Sequence, residues 1–191
     1  MDKVNDIKHK LLKELKWGRI KDCGYNCTSG RKYVEIRNAL FEVDRFKIFE
    51  NIPPLEHMST LWYDENYDPI LERNNQFNKC IYKLLENPNT RQAVIIMGDV
   101  NEFDNDPLFI CTMYMHIFLN HIKDNDYELE YIVHMRSNDA IEFDTDILWH
   151  YTVINRMIKQ LKVKYNIVNK KIIWNADTIH LYSQFFDEAQ K

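Results

Sequence analysis

The chain has 191 residues, 45% of them hydrophobic, with ten Phe, eleven Tyr and a formal net charge of −4. That length and apolar content suit one domain with a sizeable core. The charges are mixed in sign and form no basic tail or stripe, which excludes nucleic acid as the main partner, and no apolar run approaches the roughly 20 residues of a membrane span.

Residues 3–17 read as an amphipathic helix, with Ile7, Leu11, Leu12 and Leu15 at helical spacing and Gly18 as its stop. This charged start does not read as a signal peptide. Cys23 and Cys27 follow, but no second Cys/His pair sits nearby to complete a metal site, so no metal is expected and a reducing, cytoplasmic setting fits best. From Lys32 to Ile52 the texture is extended. Tyr33, Val34 and Ile36, then Phe41, Val43, Phe46 and Ile48, predict two strands that end at Pro53-Pro54.

Residues 55–75 are polar and aromatic without a period, as in a loop or short helices. QFNKCIYKLLE, 76–86, predicts a helix closed by Asn87-Pro88-Asn89. Ala93–Met97 and Leu108–Leu119 are rich in β-formers. Tyr127–Met135 alternates, with Leu129, Tyr131 and Val133 on one face and Glu128, Glu130 and Ile132 on the other. The clearest helix is 146–164, where Ile147, Tyr151, Ile154, Ile158 and Leu161 make an apolar stripe. Lys171–Trp174 predicts a strand and 178–186 a short helix or turn. Strands and helices mix without a regular βαβ beat, so the fold class is α+β.

Three places could carry chemistry. In HMRSND, 134–139, a strand ends in an arginine, a serine and an aspartate; Arg136 and Ser137, with Arg91 at the start of another strand, would make a phosphate clamp or else pair with nearby acids. Cys111, in DPLFICTMYMHIF, is either an inert core thiol or a nucleophile activated by a nearby arginine. His180 and Tyr182 share a face of any extended backbone and could hold a sugar hydroxyl, or simply pack. The four glycines, Gly18, Gly24, Gly30 and Gly98, fit neither of the glycine-rich phosphate-loop patterns.

Taken in order from about Phe77 to Phe186, these segments resemble the thymidylate synthase family, which includes the deoxycytidylate hydroxymethylases. ENPNTRQAVI resembles the segment whose arginine, here Arg91, reaches the phosphate bound by the partner subunit. DPLFICTMYMHIF resembles the nucleophile strand, with Cys111 at the catalytic cysteine. HMRSND resembles R-S-x-D, which implies phosphate binding by Arg136 and Ser137 and a catalytic Asp139 beside the base. DTDILWHYTVI resembles the start of the long central helix, and IIWNADTIHLYS the strand that sets His180 and Tyr182 on the deoxyribose 3′-hydroxyl.

The resemblance implies a mixed sheet flanked by helices, a sheet-to-sheet homodimer, and a pyrimidine nucleoside monophosphate as substrate. It implies that the Cys111 thiolate, favoured by Arg136, adds to C6, and that C5 then takes a one-carbon unit from methylenetetrahydrofolate to end as methyl or hydroxymethyl. Asp146 takes the position that chooses the base if the alignment slips by one residue: a carboxylate there accepts from the cytosine amine, where an amide matches uracil. Without the slip Ile147 occupies the position, and base choice is not readable. The other reading is that Asp146, or Thr145, caps the helix.

The chain departs from the family at Ile110-Cys111-Thr112, at His116, in the loop Glu142–Asp144 that lacks the family's glycine, and at Asp177, one residue farther from His180 than the pattern. Glu56 and Glu65 are the candidates for the catalytic glutamate, and Arg31 for the N-terminal arginine loop. Nucleotide-side residues are kept while folate-side residues are lost. The expected enzyme, a C5 hydroxymethylase or methylase, therefore stands beside an alternative: a catalytically inactive dimeric nucleotide-binding or regulatory protein. A bias toward 21 Ile and 19 Asn fits an AT-rich, viral type of genome, with the host cytoplasm as location.

Overall fold

Alternation in the strands and 3.6-residue periodicity in the helices meet in one layer pair, a mixed sheet with helices packed on its apolar face. The structure is a computed structural model that describes residues 4–16, 18–22, 32–43, 67–99 and 110–187. Within them, α1 (Val4–Leu15), α2 (Asp68–Glu72), α3 (Gln76–Glu86) and α4 (Phe143–Leu161) accompany seven strands. These are β1 (Lys21–Asp22), β2 (Lys32–Val43), β3 (Val94–Ile96), β4 (Thr112–Lys123), β5 (Asp126–Met135), β6 (Asn138–Asp139) and β7 (Asn166–Tyr182). The sheet order is β1-β2-β7-β5-β4-β3, with β6 pairing β7 off this path. Only the β7 pairings with β5 and β6 are parallel.

The long helix α4 forms because Ile147, Val153, Ile154, Met157 and Leu161 recur on one stripe, and each is fully buried. It lies over β5 and β7 residues of matching phase: Leu129, Tyr131, Val133, Ile172 and Trp174 are all at 0% exposure. Phe143 opens the helix between Phe41 and Trp174, with ring centroids 5.4 and 5.7 Å away. Helix α3 buries Phe77, Cys80, Ile81 and Leu84. Helix α1 buries Ile7, Leu11 and Leu15, and ends where the Gly18 N–H meets the Leu15 carbonyl at 2.9 Å. The opposite face of the sheet carries half-buried Ile132, His134, His116, Phe118 and Ile173.

Several expectations need correction. The two strands predicted over 32–52 are one strand, Lys32–Val43, in the described residues; Phe46 and Ile48 lie outside them. The helix predicted at 146–164 begins and ends three residues earlier. Strand Lys171–Trp174 is the middle of the 17-residue β7, so the helix or turn predicted at 178–186 shrinks to a 3-10 turn, Ser183–Phe185.

One feature of the sheet explains most of these errors. Along β7 the buried positions are even through Ile172, Trp174 and Ala176, then odd at Ile179 and Leu181. Its neighbour β2 changes phase at the same level, between Ile36 and Ala39, where Asn38 takes φ 55°. Asparagine tolerates that left-handed conformation better than most residues. On β4 the pairing with β5 shifts register between Thr112 and Tyr114, and the Met113 carbonyl accepts from both the Met97 and Gly98 N–H groups at 2.9 and 3.0 Å. The breaks line up in one row, Ala39–Ala176–Met135–Thr112. They form a crease across four strands, the kind of irregularity that re-aims side chains.

Candidate active site

Beyond the crease the strand ends converge on a cavity of about 480 Å³. Cys111 stands just before β4, and Arg136 just after β5; the Arg136 N–H donates to the Cys111 carbonyl at 2.9 Å, which fixes the two side by side. The Arg136 Nε also donates to the Ile110 carbonyl at 3.3 Å. His180 and Tyr182 enter from the far end of β7, their rings edge to face at 4.8 Å. Ser137 Oγ lies 3.1 Å from His180 Nδ1, and the Thr178 hydroxyl lies 3.4 Å from Ser137 Oγ. Parallel pairing of β6 with β7 sets Asp139 opposite His180, and the Ala140 N–H donates to the His180 carbonyl at 2.9 Å.

Asp146 reaches the cavity from the first turn of α4, and it is only 8% exposed. The helix N-cap is Glu142, without a side-chain hydrogen bond, so the capping alternative for Asp146 does not hold. Instead the Asp146 carboxylate accepts from the side-chain amide of Asn138. Asp139 does turn-forming work as well: its Oδ1 accepts from the Ile141 N–H at 2.8 Å and shapes the link from β6 to α4.

Electrostatics in the cavity pull in opposite directions. Burial pushes the Cys111 thiol up, Arg136 pulls it down, and Asp146 and Asp139 raise it further; the net direction is up. The expectation that Arg136 favours thiolate is right in sign, but burial outweighs it. Burial lowers His180 despite the carboxylates of Asp139 and Glu35, so this imidazole is held neutral. Cys80, by contrast, has no cation acting on it, and burial pushes it to about 12, an inert thiol.

Seven of the eight expected site residues thus meet: Cys111, Arg136, Ser137, Asp139, Asp146, His180 and Tyr182. Arg91 does not join them; it is exposed beside β3, its carbonyl 3.1 Å from His116 Nε2. Glu56, Glu65, Arg31, Cys23 and Cys27 lie outside the described residues.

Sequence reasoning missed Tyr67, a buried cavity residue whose ring packs on Trp149 at 4.9 Å and whose hydroxyl meets Thr112. Burial raises that phenol strongly, and the charges of Asp146 and Cys111 add to the effect. Thr112 continues inward to His150, 3.3 Å away, and His150 to the Tyr131 hydroxyl at 3.1 Å. Nothing in the aperiodic stretch around Tyr67 flagged it, since its role depends on contact with the distant Cys111 strand.

At the creased end of a mixed sheet under a long central helix, a thiol, a guanidinium, an imidazole and carboxylates gather around one cavity. The thymidylate synthase family model matches residues 57–191, and the chain belongs to that family. The deoxycytidylate 5-hydroxymethyltransferase of Enterobacteria phage T4 is 26% identical over 135 residues, covering 66% of this chain and 50% of the phage protein. The thymidylate synthase of Streptococcus mutans is 24% identical over 130 residues, covering 66% of this chain and 44% of its own. The chain spans about half the length of these curated relatives. Among solved structures, the thermostable thymidylate synthase A from Bacillus subtilis superposes with a TM-score of 0.60 at 17% identity, over 99% of this chain and 83% of that one, and shares the fold.

Proposed function

We propose that this chain transfers a one-carbon unit to C5 of a pyrimidine deoxynucleoside monophosphate, with Cys111 as nucleophile and dCMP preferred to dUMP. The observation that carries this reading is the convergence of Cys111, Arg136, Ser137, Asp146, His180 and Tyr182 on one cavity of about 480 Å³. Its residues divide by chemistry. Arg136 and Ser137 suit the phosphate, His180 and Tyr182 the sugar hydroxyl, and Asp146 the amino edge of the base. With the base held there, the Cys111 sulfur adds to C6, and the electron pair moves to C5. C5 attacks an amine-borne carbon at the formaldehyde oxidation level and gives up its proton, and the carrier amine leaves with the C–N electron pair, so that an exocyclic methylene remains at C5. Water then adds to that carbon, the electron pair returns through C5 and C6 and the thiolate leaves, giving hydroxymethyl; a methyl product would instead need a hydride donated by the carrier, which would be oxidised.

The described lining fits the nucleotide better than methylenetetrahydrofolate, the family's usual donor. Among the described residues it carries three carboxylates, Asp139, Glu142 and Asp146, and its six-membered rings, Tyr67 and Tyr182, are those of phenols rather than purely apolar side chains. That group, when bound, would supply the carbon; the residues named above act on the nucleotide alone. A homodimer belongs to the same reading, because Arg91 stands clear of its own cavity and has a phosphate to meet only in a partner. One observation favours the alternative, a dimeric nucleotide-binding protein without turnover: the Cys111 thiol is raised rather than lowered.

Tritium release from 5-³H-dCMP and 5-³H-dUMP, each with methylenetetrahydrofolate, separates the two. The enzyme reading expects release, faster from dCMP, and a loss of about a thousandfold or more in Cys111→Ala. Saturable dCMP binding with no release in the unmodified protein selects the alternative.

A further inference from the structure

Asp146 does not meet the cavity alone. Behind it, Asn138 is 1% exposed, on the short strand β6. Its amide nitrogen donates to Asp146 Oδ2, and its carbonyl oxygen accepts from the Trp174 indole N–H at 3.1 Å. Trp174 is itself fully buried, its ring held edge to face by Phe143 at 5.7 Å and His150 at 5.2 Å.

The polarity of this chain is forced. An indole N–H can only donate, so the Asn138 atom facing it must be the oxygen, and the amide NH₂ must then face Asp146. Asp146 therefore meets Asn138 as an acceptor, in a place too buried for water to reverse the arrangement. An acceptor presented to the base edge matches an exocyclic amine and opposes a carbonyl. Without the Asn138 donor, Asp146 could carry a proton and turn a donor toward a carbonyl, and the discrimination would fade.

Resting on the pyrimidine-nucleotide reading above, we propose that Asn138, locked in orientation by Trp174, is the positioning residue that sets base choice, holding Asp146 as the acceptor that selects a 4-amino over a 4-oxo pyrimidine. Asn138 borders the cavity but is only 1% exposed, and its role is to act through Asp146.

The test is calorimetric titration of the full chain with dCMP and with dUMP, for the unmodified protein, Asn138→Ala and Trp174→Phe. Thermal melting confirms that each variant folds. The unmodified protein is expected to favour dCMP. In Asn138→Ala the dCMP:dUMP affinity ratio should fall about tenfold, mainly through weaker dCMP binding. Trp174→Phe, which removes the indole N–H and keeps an aromatic ring, should lower the ratio in the same direction by a smaller factor, and it carries the test if the alanine variant does not fold. A merely structural role would weaken both nucleotides alike. A ratio unchanged to within about twofold in every variant that folds overturns the role of Asn138 and leaves the nucleotide site standing. An unmodified protein that binds neither nucleotide overturns the site reading, and this inference with it.

Discussion

The two halves of the sheet obey different rules. Below the crease, Leu129, Tyr131 and Val133 on β5 and Ile172 and Trp174 on β7 alternate strictly, lie under α4 and are sealed from solvent. Above it the phase of β2, β4 and β7 changes, and Ser137, Asp139 and His180 gather where a continued alternation would have put core residues, with Arg136 beside them. The lower half is held by apolar burial, which depends on volume and hardly on angle. The upper half is held by hydrogen bonds and charge, which depend on angle and distance. Cutting into the first should cost stability and spare recognition; cutting into the second should do the reverse.

The largest separation is expected from Leu161→Ala, on the buried stripe of α4. Loss of the side chain and the cavity left behind should cost about 2–5 kcal/mol in a denaturant titration. Affinity for dCMP measured on the folded protein should not change. Arg136→Gln is the mirror case: dCMP affinity should fall about 10- to 100-fold, with little change in the unfolding midpoint. Because Arg136 pulls the raised Cys111 thiol down, the same variant should need a higher pH for alkylation of Cys111 by iodoacetamide.

His150 joins the halves, buried between Tyr131 below and Thr112 above. Burial lowers its pKa to about 3, against an unfolded value near 6.5. The unfolded chain therefore binds the extra proton between those limits. Stability is held above about pH 6.5 and drains away as pH falls toward 3, at about 1.4 kcal/mol per pH unit from this one group. In His150→Gln the pH dependence of melting over that window should flatten. The smallest effect is expected at the crease itself: Asn38→Val forces a β-branched residue toward positive φ and should cost about 1–2 kcal/mol, with a modest loss of dCMP affinity as His180 and Tyr182 shift.

The same division decides what could be read from the amino-acid sequence. Helix α3, strand β5 and the stripe of α4 are visible because their periods are unbroken. In the sequence, strand β7 reads as ending early, with a helix or turn beyond it, because the phase change around Asp177 looks like the end of a strand. The shift at Asp177 that appeared as a departure from the family spacing coincides with that crease. Residues of the site that carry distinctive chemistry, such as Cys111, Arg136 and His180, were legible through their order along the chain. Tyr67 and Asn138 were not: a tyrosine in an aperiodic segment and an asparagine in the two-residue strand β6 acquire their roles only from neighbours brought in by the fold, Thr112 for one, Trp174 and Asp146 for the other.

A crystal structure with dCMP bound tests the central claim most directly. The phosphate is expected on Arg136 and Ser137, the sugar 3′-hydroxyl on His180 and Tyr182, and the base amine on Asp146. C6 should lie at bonding distance from the Cys111 sulfur, or at about 3–3.5 Å from it before reaction. A nucleotide lodged elsewhere on the chain, or one in the cavity with its base turned away from Cys111 and Asp146, would contradict the account.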